Sequence, residues 1–374
     1  MRSTSLRALV ALGAVCAVAL PAVGLAGASP TCTASLGPGT AAPGDMLQAV
    51  AGAPRHAVAA GIHFDGGDGR PLVQRLDGDT WSRFPIPIHA GAGTIQFQDA
   101  VVAGDRVWAV GTLRNDKPMA GWLADDRWHW SAPVDPGGVE DEFLGVAALP
   151  DGTLWAVGKH REDADYQPLI ERFDGTAWTV VPSPPVKGSA VLKDIAVTPD
   201  GSMWAVGWSV SEGGVTLPLI ERWFEGSWLV DNVPGRGLLS GIALLPSGSA
   251  IAVGWRETPA GDRTFTLVLE ALGWALAPPD GSDQPGRLTS VATGEAVVAV
   301  GSRFDDAGVP QALVARWDEQ AERWIALPAG DPSIEPGGDQ LTAITGEPGS
   351  FLAVGISDTP ESFGSLVVTG TCLG

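Results

Sequence analysis

A short apolar phrase ending in glycine recurs seven times in this 374-residue chain and constrains its fold more than any other feature. Its clearest copies are Val107-Trp108-Ala109-Val110-Gly111, Leu154-Trp155-Ala156-Val157-Gly158 and Met203-Trp204-Ala205-Val206-Gly207. Weaker copies end at Gly61, Gly254, Gly301 and Gly355. Successive glycines are 50, 47, 49, 47, 47 and 54 residues apart. Self-similarity at such a period marks a repeat architecture. Seven units of about 49 residues fill nearly all of 29–374 and leave no room for a second domain.

Each unit reads as four short strands. The first is apolar with small residues, at 47–51, 97–101, 143–147, 192–196, 239–243, 288–292 and 341–345. The glycine phrase is the second. The third is typified by Leu169-Ile170-Glu171-Arg172 and Leu219-Ile220-Glu221-Arg222, and the fourth opens at Trp81, Trp128, Trp178, Trp228, Trp274 or Trp324. Strand residues are β-branched or aromatic, and Asp-Gly, Pro-Gly or Ser-Gly turns separate them. No window holds a helical period. A four-stranded unit that is apolar on both faces cannot stand alone, and radial stacking covers both faces. The expected fold is therefore all-β, a seven-bladed β-propeller with four antiparallel strands per blade. Small residues suit a first strand lying nearest the crowded axis.

The two ends bear on closure of the ring. The last unit stops after its third strand, at 366–372, and residues 30–36 offer one strand before the first unit begins. The N-terminal strand is thus expected to complete the last blade. That phase would set Cys32 beside Cys372 and favours a disulfide between them. The alternative is that both are simply terminal and free. Residues 1–28 read as a cleaved signal peptide: Arg2 and Arg7, an apolar stretch over 8–25, then Ala26-Gly27-Ala28. Its removal would take Cys16 with it. Gly13-Ala14-Val15 does not fit a lipidated cysteine, and no later stretch approaches the roughly 20 apolar residues of a membrane span. The expected location is secreted, extracellular or in the cell envelope.

Loss of that leader removes two arginines and no acid, taking the formal charge from −20 to −22. Such a chain repels nucleic acid and anionic membranes. Fifteen Trp against one Tyr place tryptophan in a repeated structural slot.

The order Trp-Ala-Val-Gly, then Pro-Leu-Ile-Glu-Arg, then Asp-Gly-x-x-Trp resembles the repeat of secreted bacterial seven-bladed propellers, and the resemblance spans residues 29–374. More distantly the chain is similar to kelch and galactose-oxidase propellers, through the glycine ending strand two and the Trp opening strand four, but it lacks their double glycine. It also lacks the Gly-Gln-Leu-Gly element of the chromosome-condensation-regulator repeat. These resemblances imply architecture and are nearly silent on activity. Galactose-oxidase chemistry, as that family implies it, needs a Cys-linked Tyr and His/Tyr copper ligands, and Tyr166 is the single tyrosine. Sialidases use Asp-boxes, an arginine triad and a tyrosine nucleophile. The Asp77…Trp81 and Asp174…Trp178 spacings are one residue short for an Asp-box.

The five histidines, His56, His63, His89, His129 and His160, read as surface or packing residues. His56 and His63 are seven apart on a strand and point to opposite faces. Function is expected where the copies disagree. The segments after each glycine vary, at 62–70, 112–118, 159–167, 208–217, 255–264, 302–310 and 356–364, and they share a face with blade connections such as 132–142 and 278–287. Variable loops on a rigid scaffold are the usual place for binding. Candidate ligand contacts there are Asp99 and Asp194 near the channel mouth, with Gln98 and Lys193 beside them, and Trp208 and Trp255, which occupy one slot in neighbouring units. Acidic pairs such as Asp65 with Asp68, Glu162 with Asp163, and Asp305 with Asp306 could offer oxygen ligands to Ca²⁺, but none has a calcium motif's spacing, so no cofactor is expected. The favoured reading is a monomeric, non-enzymatic binder of an extracellular protein or glycan, without nucleic acid or membrane insertion. A carbohydrate-active hydrolase or lyase at the channel mouth is the runner-up, and a purely structural envelope protein the third.

Overall fold

The structure is a computed structural model that describes residues 30–37, 43–65, 69–88, 93–113, 117–245, 247–278, 283–328, 338–358 and 363–373. The expected leader, with Cys16, and the residues Asp68 and His89 lie outside them.

The described residues form 28 strands and no helix, in seven four-stranded sheets. Six blades are runs of four consecutive strands, over 45–83, 95–131, 142–180, 190–230, 238–276 and 287–326. Blade 7 takes three strands from Gly338–Glu347, Ser350–Asp358 and Phe363–Leu373, and its fourth from Thr31–Leu36. The first strands of successive blades are neighbours, and blade 7 returns to blade 1. The ring is a seven-bladed propeller. Its closure is the expected one: Cys32 lies opposite Cys372 in the antiparallel register, and the two are disulfide-bonded.

Seven apolar cores fill the seven gaps between blades. The gap between blades 3 and 4, for example, holds Trp155, Val157 and Ile170 from one side and Leu192, Ala205 and Trp228 from the other. Blades 7 and 1 meet through Leu352, Val354 and Val367 against Leu47, Ala59 and Leu72. Alternation along the second strand explains how one phrase serves two gaps. Leu154 and Ala156 face blade 2, whereas Trp155 and Val157 face blade 4. Tryptophan contacts between blades follow from the same geometry. The second-strand Trp of one blade meets the fourth-strand Trp of the next, as Trp108 does with Trp178 (6.4 Å, edge-on) and Trp155 with Trp228 (5.7 Å, edge-on). Edge-on indole pairs bury large apolar area and add roughly 0.5–1.5 kcal/mol each.

The glycine has a steric cause. Gly61, Gly111, Gly158, Gly207, Gly254, Gly301 and Gly355 lie opposite Leu47, Phe97, Phe143, Leu192, Leu239, Leu288 and Leu341 of the first strand. A Cβ on any of the seven would overlap the carbonyl oxygen of the residue before that partner. Immediately after the partner the first strand bulges in every blade, so that one extra residue sits unpaired. Close approach and bulge occur together at the same height in all seven.

Gly207→Ala should therefore cost at least about 2 kcal/mol, because backbone must move to admit the methyl. Gly364→Ala, where a Cβ meets open space, should stay within about 0.5 kcal/mol of the parent. Urea unfolding of both variants checks the contrast.

Candidate functional site

The seven bulges deliver Gln48, Gln98, Leu144, Lys193, Ser240, Thr289 and Thr342 to the innermost ring. Blades 5, 6 and 7 use this position to seal the axis. The hydroxyls of Ser240, Thr289 and Thr342 each lie within reach of two backbone carbonyls, and the shorter bond goes to the next blade: Leu288 (2.6 Å), Leu341 (2.7 Å) and Leu47 (2.8 Å). Blades 1, 2 and 4 instead place amides and an ammonium there.

One residue further on, blades 2 to 5 alternate Asp99, Gly145, Asp194 and Gly241. Asp99 accepts the N–H of Ala100 and, across the gap, that of Val146, both at 2.8 Å. Asp194 does the same with Ile195 (2.7 Å) and Ile242 (2.8 Å). Each glycine has no room for a side chain: a Cβ on Gly145 would press on the backbone of Asp194 and one on Gly241 on Ser290. The aspartate thereby reaches past it to the neighbouring amide. Burial holds both carboxyls above the ordinary range, and the charge of Asp194 adds to the effect on Asp99. The four backbone amides oppose the shift. Both aspartates work as staples between blades.

Above this ring, at the variable-loop end, blade 3 carries a dense charge cluster. Lys159 Nζ lies 2.6 Å from Glu140 and 3.1 Å from Glu142. Arg161 reaches Glu140 at 2.7 Å, and the Tyr166 hydroxyl donates to the same carboxylate at 2.9 Å. Both cations lie over the Tyr166 ring, at 4.7 and 5.2 Å. Gln98 of blade 2 donates to Glu142 at 2.8 Å. Burial works to raise the Glu140 carboxyl, but the bonds from Lys159, Tyr166 and Arg161 outweigh it and hold the group below its usual value. Burial likewise opposes charge on Lys159, and its two glutamates keep its ammonium above the ordinary range. Glu140 was not singled out from the sequence, and Tyr166 was noted there only as the single tyrosine.

Lys193 lies at this mouth with no hydrogen-bond or ion-pair partner among the described residues. Burial depresses its pKa, Lys159 adds to the effect, and Glu142 and Asp194 oppose it through space. The residue after each glycine forms a second ring. Ile62, Thr112 and Ser302 are buried there, whereas Lys159, Trp208 and Trp255 are half-buried in three consecutive blades. Trp255 carries the Arg287 guanidinium over its ring at 5.4 Å. Neither indole N–H finds a protein acceptor among the described residues, which is also true of the buried N–H groups of Trp81, Trp128, Trp155, Trp204 and Trp228, whereas Trp178, Trp274 and Trp324 bond Ser131, Asp231 and Thr266. Gln98, Asp99, Lys193 and Asp194 thus lie on the innermost strands of blades 2 and 4, and Trp208 and Trp255 on the second strands of blades 4 and 5.

The segments that differ between units are less loop-like than their sequences suggest. In blade 5 pairing continues to Thr258 opposite Gly261, which leaves a two-residue turn, and in blade 1 it continues to Phe64 opposite Gly69. Strand pairing is a backbone property and survives side-chain divergence.

A buried polar set recurs in blades 1 and 3. Asp45 and Asp141, each fully buried, lie two residues before the first-strand partner of the glycine, and His63 and His160 lie two residues after the glycine. The imidazole Nδ1 meets the carboxylate at 2.7 Å in blade 1 and 2.6 Å in blade 3. The repeat phase could have exposed this pairing, since both members keep constant offsets. On the third strand, Gln74 of blade 1 donates to Asp45 at 2.9 Å. Blade 3 has Glu171 in that slot, and blade 4 has Glu221. Glu171 accepts the Val134 N–H at 2.9 Å and Glu221 the Ser183 hydroxyl at 2.8 Å, so each fastens a blade-to-blade connection. Their other oxygens are buried without a partner. Burial pushes both up to about 7, and the charge of Asp141 adds to Glu171.

Elsewhere, a groove of 660 Å³ runs between blades 1 and 2 on the short-turn face. Within it Arg75 pairs with Asp126 at 2.6 Å, and His56 Nδ1 lies 3.2 Å from Asp77. Among the described residues no group of three or more His, Cys, Asp or Glu side chains is placed to hold a metal ion. Nor is any helix present that is long and apolar enough to cross a membrane.

No family model and no curated protein sequence matches this chain. Solved structures do resemble it. The structure of YjhT aligns with a TM-score of 0.50 at 9% identity, over 78% of this chain and 99% of that one. A Trypanosoma rangeli sialidase aligns with a TM-score of 0.49 at 12% identity in its covalent intermediate with 2,3-difluorosialic acid, over 88% of this chain and 54% of that one. The same enzyme with sialic acid gives 0.48 and 12%, over 91% and 57%. The chain therefore spans a little over half the length of those sialidase chains. At these identities the likeness to YjhT is one of fold alone.

The raised carboxyls give the fold a pH dependence of defined sign. Glu171 and Glu221 bind a proton more tightly folded than unfolded. Their contribution to stability is full below the unfolded value near 4.5 and is lost as pH rises through about 7. Glu171→Gln, which installs the amide that blade 1 already carries, should stabilise the protein at pH 8 by about 1–3 kcal/mol and have little effect at pH 4. Urea unfolding at the two pH values measures it, and equal effects at both would contradict the assignment.

Proposed function

We propose that the protein is a secreted, non-enzymatic binding propeller that recognises an extracellular glycan on its variable-loop face, across blades 3 to 5. The observation that carries this reading is the row Lys159, Trp208 and Trp255. These residues hold one position in three consecutive blades, stay half-buried, and leave both indole N–H groups without a protein acceptor among the described residues. Indole faces stack on the C–H faces of sugar rings, and the amide, carboxylate and ammonium groups of Gln98, Glu142 and Lys159 suit hydroxyls beside them. Secretion fits the leader-like residues 1–28 and the disulfide between the ends of the ring. A single propeller over 29–374, monomeric and of the Trp-Ala-Val-Gly repeat type, belongs to the same proposal.

The second reading is a carbohydrate-active hydrolase or lyase at this mouth. Asp99 and Asp194 favour it, since raised carboxyls in a channel are what a general acid needs. Against it, all four of their carboxylate oxygens accept backbone amides, so neither offers a free oxygen to a substrate.

Glycan-array screening of residues 29–374 should give binders. For any binder, Trp208→Ala and Trp255→Ala should each weaken affinity about 5- to 10-fold, the loss of one stacking contact, with circular dichroism unchanged. Unchanged affinity in both variants would count against the reading, and turnover of the bound glycan would favour the second one.

A further inference from the structure

Lys193 stands apart from the other cations at the mouth. Lys159 is paired with both Glu140 and Glu142, Arg161 with Glu140, and Glu142 is also held by Gln98. Asp194, the residue next to Lys193, turns both oxygens onto the amides of Ile195 and Ile242. No carboxylate is therefore left for the Lys193 ammonium. The backbone puts it there deliberately: Lys193 is the extra residue of the blade 4 bulge. The same slot is a hydroxyl sealed onto backbone in blades 5 to 7. A half-buried cation without a contact ion pair is costly, because it gives up hydration and receives only through-space attraction in return. Blade 4 departs from the sealing solution at this expense.

We propose that Lys193 anchors the carboxylate of an acidic sugar, a uronic acid, at the channel mouth. This rests on the glycan-binding reading and narrows it. Trp208 lies on the same blade, opposite Val191, and the next pair, Leu192 with Gly207, leads straight into the bulge that presents Lys193. Ring stacking and carboxylate recognition thereby come from adjoining positions of two paired strands. Burial, which depresses the lysine pKa, also strengthens the pair once a carboxylate arrives, since solvent screens it less.

The test is calorimetric titration of residues 29–374 with a tetragalacturonate and with its fully methyl-esterified form, which keeps the sugar rings and loses the charge. The acid should bind about 10-fold or more tightly than the ester, as expected of a charge-assisted hydrogen bond. Lys193→Met should erase that preference, and Lys193→Arg should keep a preference for the acid. Thermal unfolding of Lys193→Met should occur no lower than in the parent, because an uncompensated buried charge has been removed; this shows that lost preference is not lost folding. Equal binding of acid and ester by the parent overturns the role of Lys193 and leaves the glycan reading standing. Failure of both to bind, together with an empty glycan array, overturns both.

Discussion

The contact between the seven glycines and the first-strand carbonyls is the constraint on which the rest depends. It brings the second strand so close to the first that no Cβ fits. At the same height the first strand bulges. A bulge aims one residue out of the ladder, and here seven bulges aim seven residues at the axis. The same device thus fixes the scaffold and creates inner positions at which the blades differ.

That freedom is divided around the ring. Ser240, Thr289 and Thr342 use it to lock each blade onto the carbonyl of the next. Asp99 and Asp194 lock blades through amides instead, each reaching past a glycine that leaves it room. With the locking thus accomplished, the bulge positions of blades 2 and 4 are released for Gln98 and Lys193. The polar mouth lies where hydroxyl sealing is absent, and it adjoins the Glu140, Lys159, Arg161 and Tyr166 cluster. At the level of the bulges the ring therefore divides into blades 5 to 7, sealed by hydroxyls, and a chemically varied remainder.

The architecture was legible in the sequence because its causes repeat. The glycine, the paired tryptophans and the missing fourth strand of the last unit all recur or break a recurrence, and each corresponds to a contact: Gly207 to a carbonyl, Trp155 to Trp228, Cys32 to Cys372. The site was legible only in part. Asp99, Asp194, Lys193, Trp208 and Trp255 stood out because they sit at fixed phase. Their roles did not, because a staple and a ligand contact use the same residue types. Tyr166 and Glu140 come together across 26 residues through a fold-dependent bond that no local pattern encodes. The Asp45–His63 and Asp141–His160 pairs lay within reach of the repeat phase, hidden by being present in two blades of seven.

The central claim is that ligand recognition occupies the loop-end mouth of blades 3 to 5 and leaves the remainder of the ring as scaffold. Hydrogen exchange with and without a bound oligosaccharide tests it most directly. Slowed exchange should be confined to peptides covering residues 140–142, 159–166, 191–194, 207–209 and 254–256. Protection centred instead on the short-turn face, for example on residues 54–56, 104–106 and 151–153, would contradict the account.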